Sequence, residues 1–228
     1  MPFERFPQAA DELFDFDDPV PATAGHALLA AAALASGERD EFREHERRWT
    51  ELADRHGLAW LAAVETLGIA VVEITCGAAE QVERRLRESR EVVTVLGDIW
   101  WAGTTDAYLG AALVQLDRPT EFLRFADYYD AAPLVLDRDT QIRRLLLRAQ
   151  ALRMRGSPAD AEKAARRGLE LAAPTDLVLT HSDALLTLAD VLVERGQAEE
   201  ANSARAEAVA LLRAKGNHAA VARIVAGA

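Results

Sequence analysis

The sequence predicts an all-α protein built as a solenoid of helix hairpins, and three observations lead to this prediction. A turn-forming residue recurs in steps of 39 or 40 residues, and a small residue precedes it by seven positions each time. No segment alternates apolar and polar residues over the length of a strand. The turn residues are Gly37, Gly77, Asp117, Gly156 and Gly196, and the small residues are Ala30, Ala70, Gly110, Ala149 and Ala189. This recurrence predicts about five helix pairs with a period of about 40 residues.

Each pair consists of a helix A that ends at the turn residue and a helix B that follows it. A residue that readily adopts the left-handed backbone conformation suits the end of helix A. The acidic residues found early in helix B are stabilised by the positive end of the helix dipole. We predict helix A at about 22–36, 58–76, 100–116, 139–155 and 176–195, and helix B at about 39–56, 78–96, 119–131, 158–172 and 198–214, with a short helix after Lys215.

The small residue lets helix B approach helix A closely, and apolar residues on either side of the turn fill the interface. Eight positions before the turn, four of the five pairs carry leucine or isoleucine, whereas the fourth pair carries Arg148. A single pair cannot bury its apolar face, so we expect residues 21–228 to stack as one solenoid domain in a superhelix or a curved slab. Residues 1–20 are expected to form an acidic arm whose phenylalanines cap the first repeat or dock a partner.

Composition excludes several classes of function. The formal net charge is −11, which opposes binding to a phosphate backbone, so we expect no direct nucleic-acid partner. Cys76 is the single cysteine, which favours a reducing, cytoplasmic location. The longest apolar run, residues 27–35, is short for a membrane span, and residues 1–18 lack the layout of a signal peptide. We therefore expect a cytoplasmic protein with no membrane contact.

One family resemblance is carried by the C-terminal residues. Residues 175–217, with "TD" before helix A, "DALLTLADVL" along it, the "G…EA" turn and the closing "KGN", resemble the tetratricopeptide-like (TPR) C-terminal regions of large bacterial regulators. Those regions are attached to adenylate or guanylate cyclase domains or to signal-transduction ATPases, and residues 148–172 resemble the preceding repeat. The resemblance implies a helical sensor or scaffold, although the chain has no cyclase domain, phosphate-binding loop or helix-turn-helix motif.

The sequence contains none of the short catalytic motifs, so we expect no enzyme activity, cofactor or metal. His45 and His56 are too far apart along one helix to share a metal, and His26 is expected at the surface or in an end cap. The run His181, Ser182 and Asp183 points in different directions on a helix. Glu73 lies in an apolar stretch, where it either pairs with Arg84, Arg85 or another helix, or is a functional carboxylate with a raised pKa.

Binding is the function that the pattern favours. In stacked hairpins the A helices line the concave face, and in the fourth and fifth pairs this face carries opposite charges. The candidate partner-binding residues are Arg143, Gln150, Arg153, Asp183, Asp190 and Glu194. The same positions in the second and third pairs are mostly apolar and form either a pocket or core: Val64, Leu67, Val71, Ile74, Thr104, Ala107, Ala111 and Val114.

We therefore predict a non-enzymatic scaffold or sensor that binds a protein or peptide in bacterial signal transduction or transcriptional regulation. One alternative is an all-α enzyme or small-molecule-binding protein that uses the apolar region and Glu73. The other is a structural unit that forms a homodimer through a face centred on Trp49, Trp60, Trp100 or Trp101.

Overall fold

The structure is a computed structural model that describes residues 2–14, 16–131 and 137–226. These residues form α-helices that pack in antiparallel pairs, a 3-10 helix at Phe3–Arg5 and no strand. The helices are α1 (Phe6–Phe14), α2 (Pro19–Ser36), α3 (Arg39–His56), α4 (Ala59–Cys76), α5 (Ala79–Val95), α6 (Ile99–Gln115), α7 (Pro119–Ala131), α8 (Arg138–Met154), α9 (Pro158–Ala172), α10 (Val178–Glu194), α11 (Ala198–Lys215) and α12 (His218–Ala226). The predicted all-α helix-hairpin fold is confirmed, and the ten main helices start and end within three residues of the predicted limits.

All five turn residues have the left-handed backbone that the hairpin requires. Their φ angles are 88° at Gly37, 87° at Gly77, 50° at Asp117, 72° at Gly156 and 73° at Gly196. Asp117 is the only described residue other than glycine with a positive φ, and aspartate tolerates this region better than most side chains. The turn residue ends each A helix at a fixed point and so sets the register of the pair.

Small residues occupy the contact between paired helices. The side chains of Ala30, Ala70, Ala149 and Ala189 have no exposed surface. At the fifth position, a Cβ added to Gly110 would lie 2.7 Å from Cε1 of Phe125 on α7. The residues five positions after the turn are buried opposite them: Phe42, Val82, Phe122, Ala161 and Ala201. The packing therefore follows the repeat that was visible in the sequence.

The chain divides into two compact units. Unit 1 contains residues 1–102 and 213–228, and unit 2 contains residues 103–212. Within unit 1, α1 packs on α2, and Phe3 is buried whereas Phe16 is exposed. Met1 and Asp15 of the predicted N-terminal arm lie outside the described residues. The proposed division into an arm at 1–20 and a solenoid at 21–228 stays a prediction.

The C-terminal segment packs on N-terminal helices of unit 1, a contact that sequence reasoning missed. Asn217 begins α12 by accepting the N–H of Ala220, and its Nδ2 donates to Oγ1 of Thr75 on α4 at 3.0 Å. Nε of Arg223 donates to the Thr75 carbonyl at 3.0 Å. The Lys215 ammonium lies 4.9 Å from the centre of the Phe3 ring, a cation–π contact. The "KGN" sequence therefore joins the last helix to α4 and to the first residues.

Two helices of unit 1, α2 and α4, are long and apolar enough to cross a membrane by length and composition alone. Both are 18 residues long, and both pack against neighbouring helices through buried side chains. Core helices pass the same test, so this is weak evidence for a membrane segment. The expected absence of membrane contact stays a prediction.

We predict that Ala189→Leu lowers the free energy of unfolding by roughly 1–3 kcal/mol, because the larger side chain overfills a closed contact. Ala189 packs with Leu185, Ala201 and Ala204 in one cluster. Chemical denaturation measures the effect, with Ala206→Leu at an exposed position of α11 as the matched control. Equal stability of the two variants would contradict the role assigned to the small residues.

Candidate functional site

All six candidate binding residues lie in unit 2, on the adjacent helices α8 and α10. Two ion pairs join the helices: Nη1 of Arg143 donates to Oδ2 of Asp183 at 2.8 Å, and Nη1 of Arg153 donates to Oε1 of Glu194 at 2.6 Å. Nε of Arg153 also donates to Oε1 of Gln150 at 2.9 Å. The structure thus brings five of the six residues into direct pairs.

Asp190 is the sixth residue, and its partner lies on a different helix. Its Oδ1 accepts a hydrogen bond from Nη2 of Arg205 on α11 at 3.2 Å. The Asp190 side chain is about half exposed. Asp190 is therefore placed beside the α8–α10 pairs without belonging to them.

Arg143 is buried, whereas its place among the candidate partner-binding residues of the concave face implied a side chain accessible to a partner. Its residue exposure is 3%. The guanidinium lies 4.1 Å from the centre of the Tyr108 ring on α6, and Nη2 donates to Oγ1 of Thr180 at 3.2 Å. The charge is neutralised inside the fold because Asp183 and Asp139 approach from two helices. Arg143 consequently joins α6, α8 and α10.

Asp139 is the member of this network that sequence reasoning missed. It accepts hydrogen bonds from the Tyr108 hydroxyl at 2.8 Å and from the Thr180 hydroxyl. Its only sequence signal was its place in the first turn of α8, next to Asp137, whose side chain caps the helix through the N–H of Thr140. That signal predicts a helix start and carries no information about partners on other helices.

The other end of the same face stays accessible. The Arg153 side chain is 25% exposed and that of Glu194 is 42% exposed. Val193, between the acidic residues, is 48% exposed. This surface combines a cation, two carboxylates and an apolar side chain.

The Glu73 side chain is 1% exposed and pairs with Arg85, one of the two partners named from the sequence. Nη1 of Arg85 donates to Oε1 of Glu73 at 3.0 Å, and Arg85 also pairs with Glu46. Oε2 of Glu73 is buried without a hydrogen-bond partner, and burial raises the pKa of this carboxyl to about 7. The expected pairing with Arg85 is confirmed and the pKa is also raised, whereas a functional role for this carboxylate stays a prediction.

Four of the eight A-helix positions considered as a pocket or core are buried, and the other four are partly exposed. Leu67 and Ile74 are buried within unit 1, and Thr104 and Ala107 are buried within unit 2.

Burial also raises the pKa of the Cys76 thiol to about 11. The thiol stays protonated at neutral pH, as expected for an inert cysteine.

A histidine pair was also missed. His26, expected at the surface, is half-buried on α2, and its Nδ1 lies 3.1 Å from Nδ1 of His45 on α3. Burial lowers the pKa of both rings, which favours a neutral pair in which one Nδ1–H donates to the other Nδ1.

Within the described part of the chain, no group of three or more His, Cys, Asp or Glu residues is placed to hold a metal ion.

Comparison with known proteins supports the fold. No protein-family model matches the chain, and no curated protein matches it. The chain resembles the solved structure of the apo form of the quorum sensor NprR from B. thuringiensis, with a TM-score of 0.56 and 12% sequence identity. The match covers 97% of this chain and 62% of NprR, so the chain spans less than two thirds of that protein. The likeness supports a TPR-like helical-repeat fold, and the resemblance to cyclase-linked and ATPase regulators stays a prediction.

We predict that Arg143→Met lowers the free energy of unfolding by about 3–5 kcal/mol, because it leaves Asp139 and Asp183 partly buried without their cation. Arg153→Met, which removes a more exposed pair on the same helix, should cost less than about 1 kcal/mol. Urea denaturation of the two variants provides the comparison. Similar losses would contradict the structural role of Arg143.

We predict that Glu65 makes the protein less stable as the pH rises from about 4.5 to about 7. Burial raises the pKa of this α4 carboxyl from 4.5 to about 7, so the folded protein retains a proton that the unfolded chain has lost. The free energy of unfolding therefore falls across this range by up to about 3 kcal/mol per group. Glu65→Gln should flatten the curve of stability against pH, because the carboxyl that titrates differently in the folded and unfolded states is then absent. Parallel curves for wild type and Glu65→Gln would refute the prediction.

Proposed function

We propose that this protein is a non-enzymatic interaction or sensor module that binds a peptide or protein segment on the A-helix face of unit 2. The observation that carries the proposal is that α8 and α10 are joined by buried side chains at one end and present accessible side chains at the other. Arg143 and its buried partners fix the two helices at one end, and Arg153, Asp190, Val193 and Glu194 offer accessible groups at the other. A rigid face with exposed and weakly paired charges suits recognition of an extended partner.

The partner class follows from the accessible groups. Arg153 offers a guanidinium for a carboxylate of the partner, and Asp190 and Glu194 accept from its basic or amide groups. Val193 supplies apolar contact between them. The TPR-like fold and the helical-repeat likeness to a quorum sensor support a regulatory role in bacterial signal transduction, which we place in the cytoplasm.

We predict that Arg153→Ala weakens binding of a peptide partner about tenfold, because one charge-assisted hydrogen bond is lost. Peptides selected against the full chain from a random library serve as probes, and fluorescence anisotropy gives Kd. Arg167→Ala on α9 is the control, since Arg167 forms an ion pair with Glu170 that is more exposed and lies outside this face. The proposal fails if the selected peptides bind wild type and Arg153→Ala equally.

Self-association is a second candidate, favoured by exposed apolar residues in unit 1. Trp60, Val95, Leu96, Ile99 and Trp100 are between 43% and 80% exposed. Nε1 of Trp60 donates to Oδ2 of Asp98 at 2.9 Å, which links the start of α4 to the residue before α6. Trp49 is buried and does not belong to this surface. A sedimentation coefficient that rises with concentration, and that Leu96→Asp abolishes, would favour this candidate.

A further inference from the structure

Helix α12 packs on two A helices of unit 1. Its contacts are with α2 and α4, which are the A helices of the first two repeats. Its polar contacts converge on Thr75 of α4, which stands two positions before the turn residue Gly77. Glu194, in the partner face of unit 2, likewise stands two positions before its turn residue, Gly196. In unit 1, α12 therefore contacts the repeat position that we propose for a partner in unit 2.

The contacts at Thr75 select a helix that begins with an amide and carries a cation. The buried Asn217 side chain donates from Nδ2 to the Thr75 hydroxyl, and its Oδ1 accepts the N–H of Ala220. Arg223 donates to the Thr75 carbonyl at 3.0 Å, near the end of α4, where the helix dipole favours a cation. Its Cδ lies so close to Gly77 that a Cβ added to that glycine would be 2.9 Å away. Asparagine before the helix and arginine six residues later therefore form the recognition pattern.

Few apolar contacts hold α12 in place. Among its residues, all of which the structure describes, Ala220 alone is buried. Val225 is 59% exposed, and Arg223 is also exposed. A helix of nine residues is marginal in isolation and depends on its packing, and elements with little buried apolar surface open at a low free energy. Helix α12 can therefore exchange with a helix that makes the same polar contacts and buries more apolar surface.

The surface of α4 that α12 contacts continues towards the start of the helix. Val64, Gly68, Val71 and Thr75 are spaced by four, three and four residues, so they form one stripe. Thr75 is buried, whereas Gly68 is exposed and the two valines are partly exposed. Beyond its own stretch of helix, no described atom lies within 4 Å of a Cβ added to Gly68. Glycine destabilises a helix relative to alanine and allows another backbone to approach closely. The stripe therefore has room for a second helix, next to the α12 contact.

We propose that the α2–α4 face, formed by α2 and by the stripe Val64, Gly68, Val71 and Thr75 of α4, docks a short amphipathic helix of a protein partner that displaces α12. The partner helix carries an asparagine and, six residues later, an arginine that bind Thr75, and its apolar side covers the rest of the stripe. It competes successfully because it buries apolar surface that α12 leaves exposed. The α2–α4 face lies in unit 1 and contains no residue of the partner face in unit 2, so the two proposals are independent.

Fluorescence anisotropy of a labelled peptide with the sequence of residues 213–226 tests the exchange on the full chain. Because α12 competes from the same chain at an effective concentration on the order of 1 mM, we expect the wild type to bind this peptide weakly. Arg223→Ala in the chain weakens the competitor, so the unchanged peptide should bind about tenfold more tightly. The same substitution in the peptide should weaken its binding to this variant about tenfold. Arg213→Ala, at an exposed position of α11, is the control and should bind the peptide as the wild type does.

Two substitutions in the α2–α4 face locate the binding. In the Arg223→Ala chain, Thr75→Val removes the hydroxyl that accepts from asparagine, and Gly68→Leu fills the open stripe. Each should weaken the peptide at least about fivefold. The Cys76 thiol, whose Sγ lies 3.7 Å from Oδ1 of Asn217, reports the position of α12 independently. Its alkylation by iodoacetamide should be faster in Arg223→Ala than in the wild type, and slow again when the peptide is bound.

Three outcomes overturn the proposal. Equal affinity of the wild type and Arg223→Ala for the peptide would show that α12 is a fixed part of the fold. Unchanged affinity in both Thr75→Val and Gly68→Leu would show that the peptide binds elsewhere. A sedimentation coefficient that rises with concentration and falls when the peptide is added would assign the face to α12 of a second copy. Arg153→Ala, in the partner face of unit 2, should leave peptide binding unchanged, so a failure here does not count against that site.

Discussion

Close contact between paired helices at small side chains is the constraint on which each repeat depends. Alanine at positions 30, 70, 149 and 189 has no exposed surface, and Gly110 leaves no room for a Cβ beside Phe125. A larger residue at these points would separate the two helices and open the interface that the residues five positions after the turn now fill. The left-handed turn residue fixes where that contact falls along both helices. Every functional position discussed above is located by this register.

The candidate partner site depends on the same packing. Because α8 and α10 lie side by side in unit 2, Arg143 meets Asp183 across 40 residues of sequence and Arg153 meets Glu194 across 41. The two pairs serve different purposes, since the first is buried under the Tyr108 ring and the second is accessible. A buried charge with partners on several helices limits how these helices can shift, so the accessible groups are presented in one geometry.

The sequence by itself determined the helices, their turns and the small and apolar positions between them, because helix periodicity, a turn residue suited to the left-handed conformation and an alanine or glycine seven positions before it recur along the chain five times. It also marked Arg148 as the exception to the apolar residues that precede the other turns by eight positions. The tertiary structure alone decided that Arg143 is buried, that His26 meets His45, and that Asn217 meets Thr75 across 142 residues. Burial of a charge depends on which distant side chains supply its counter-ions, and periodicity along one helix contains no information about the helices packed against it.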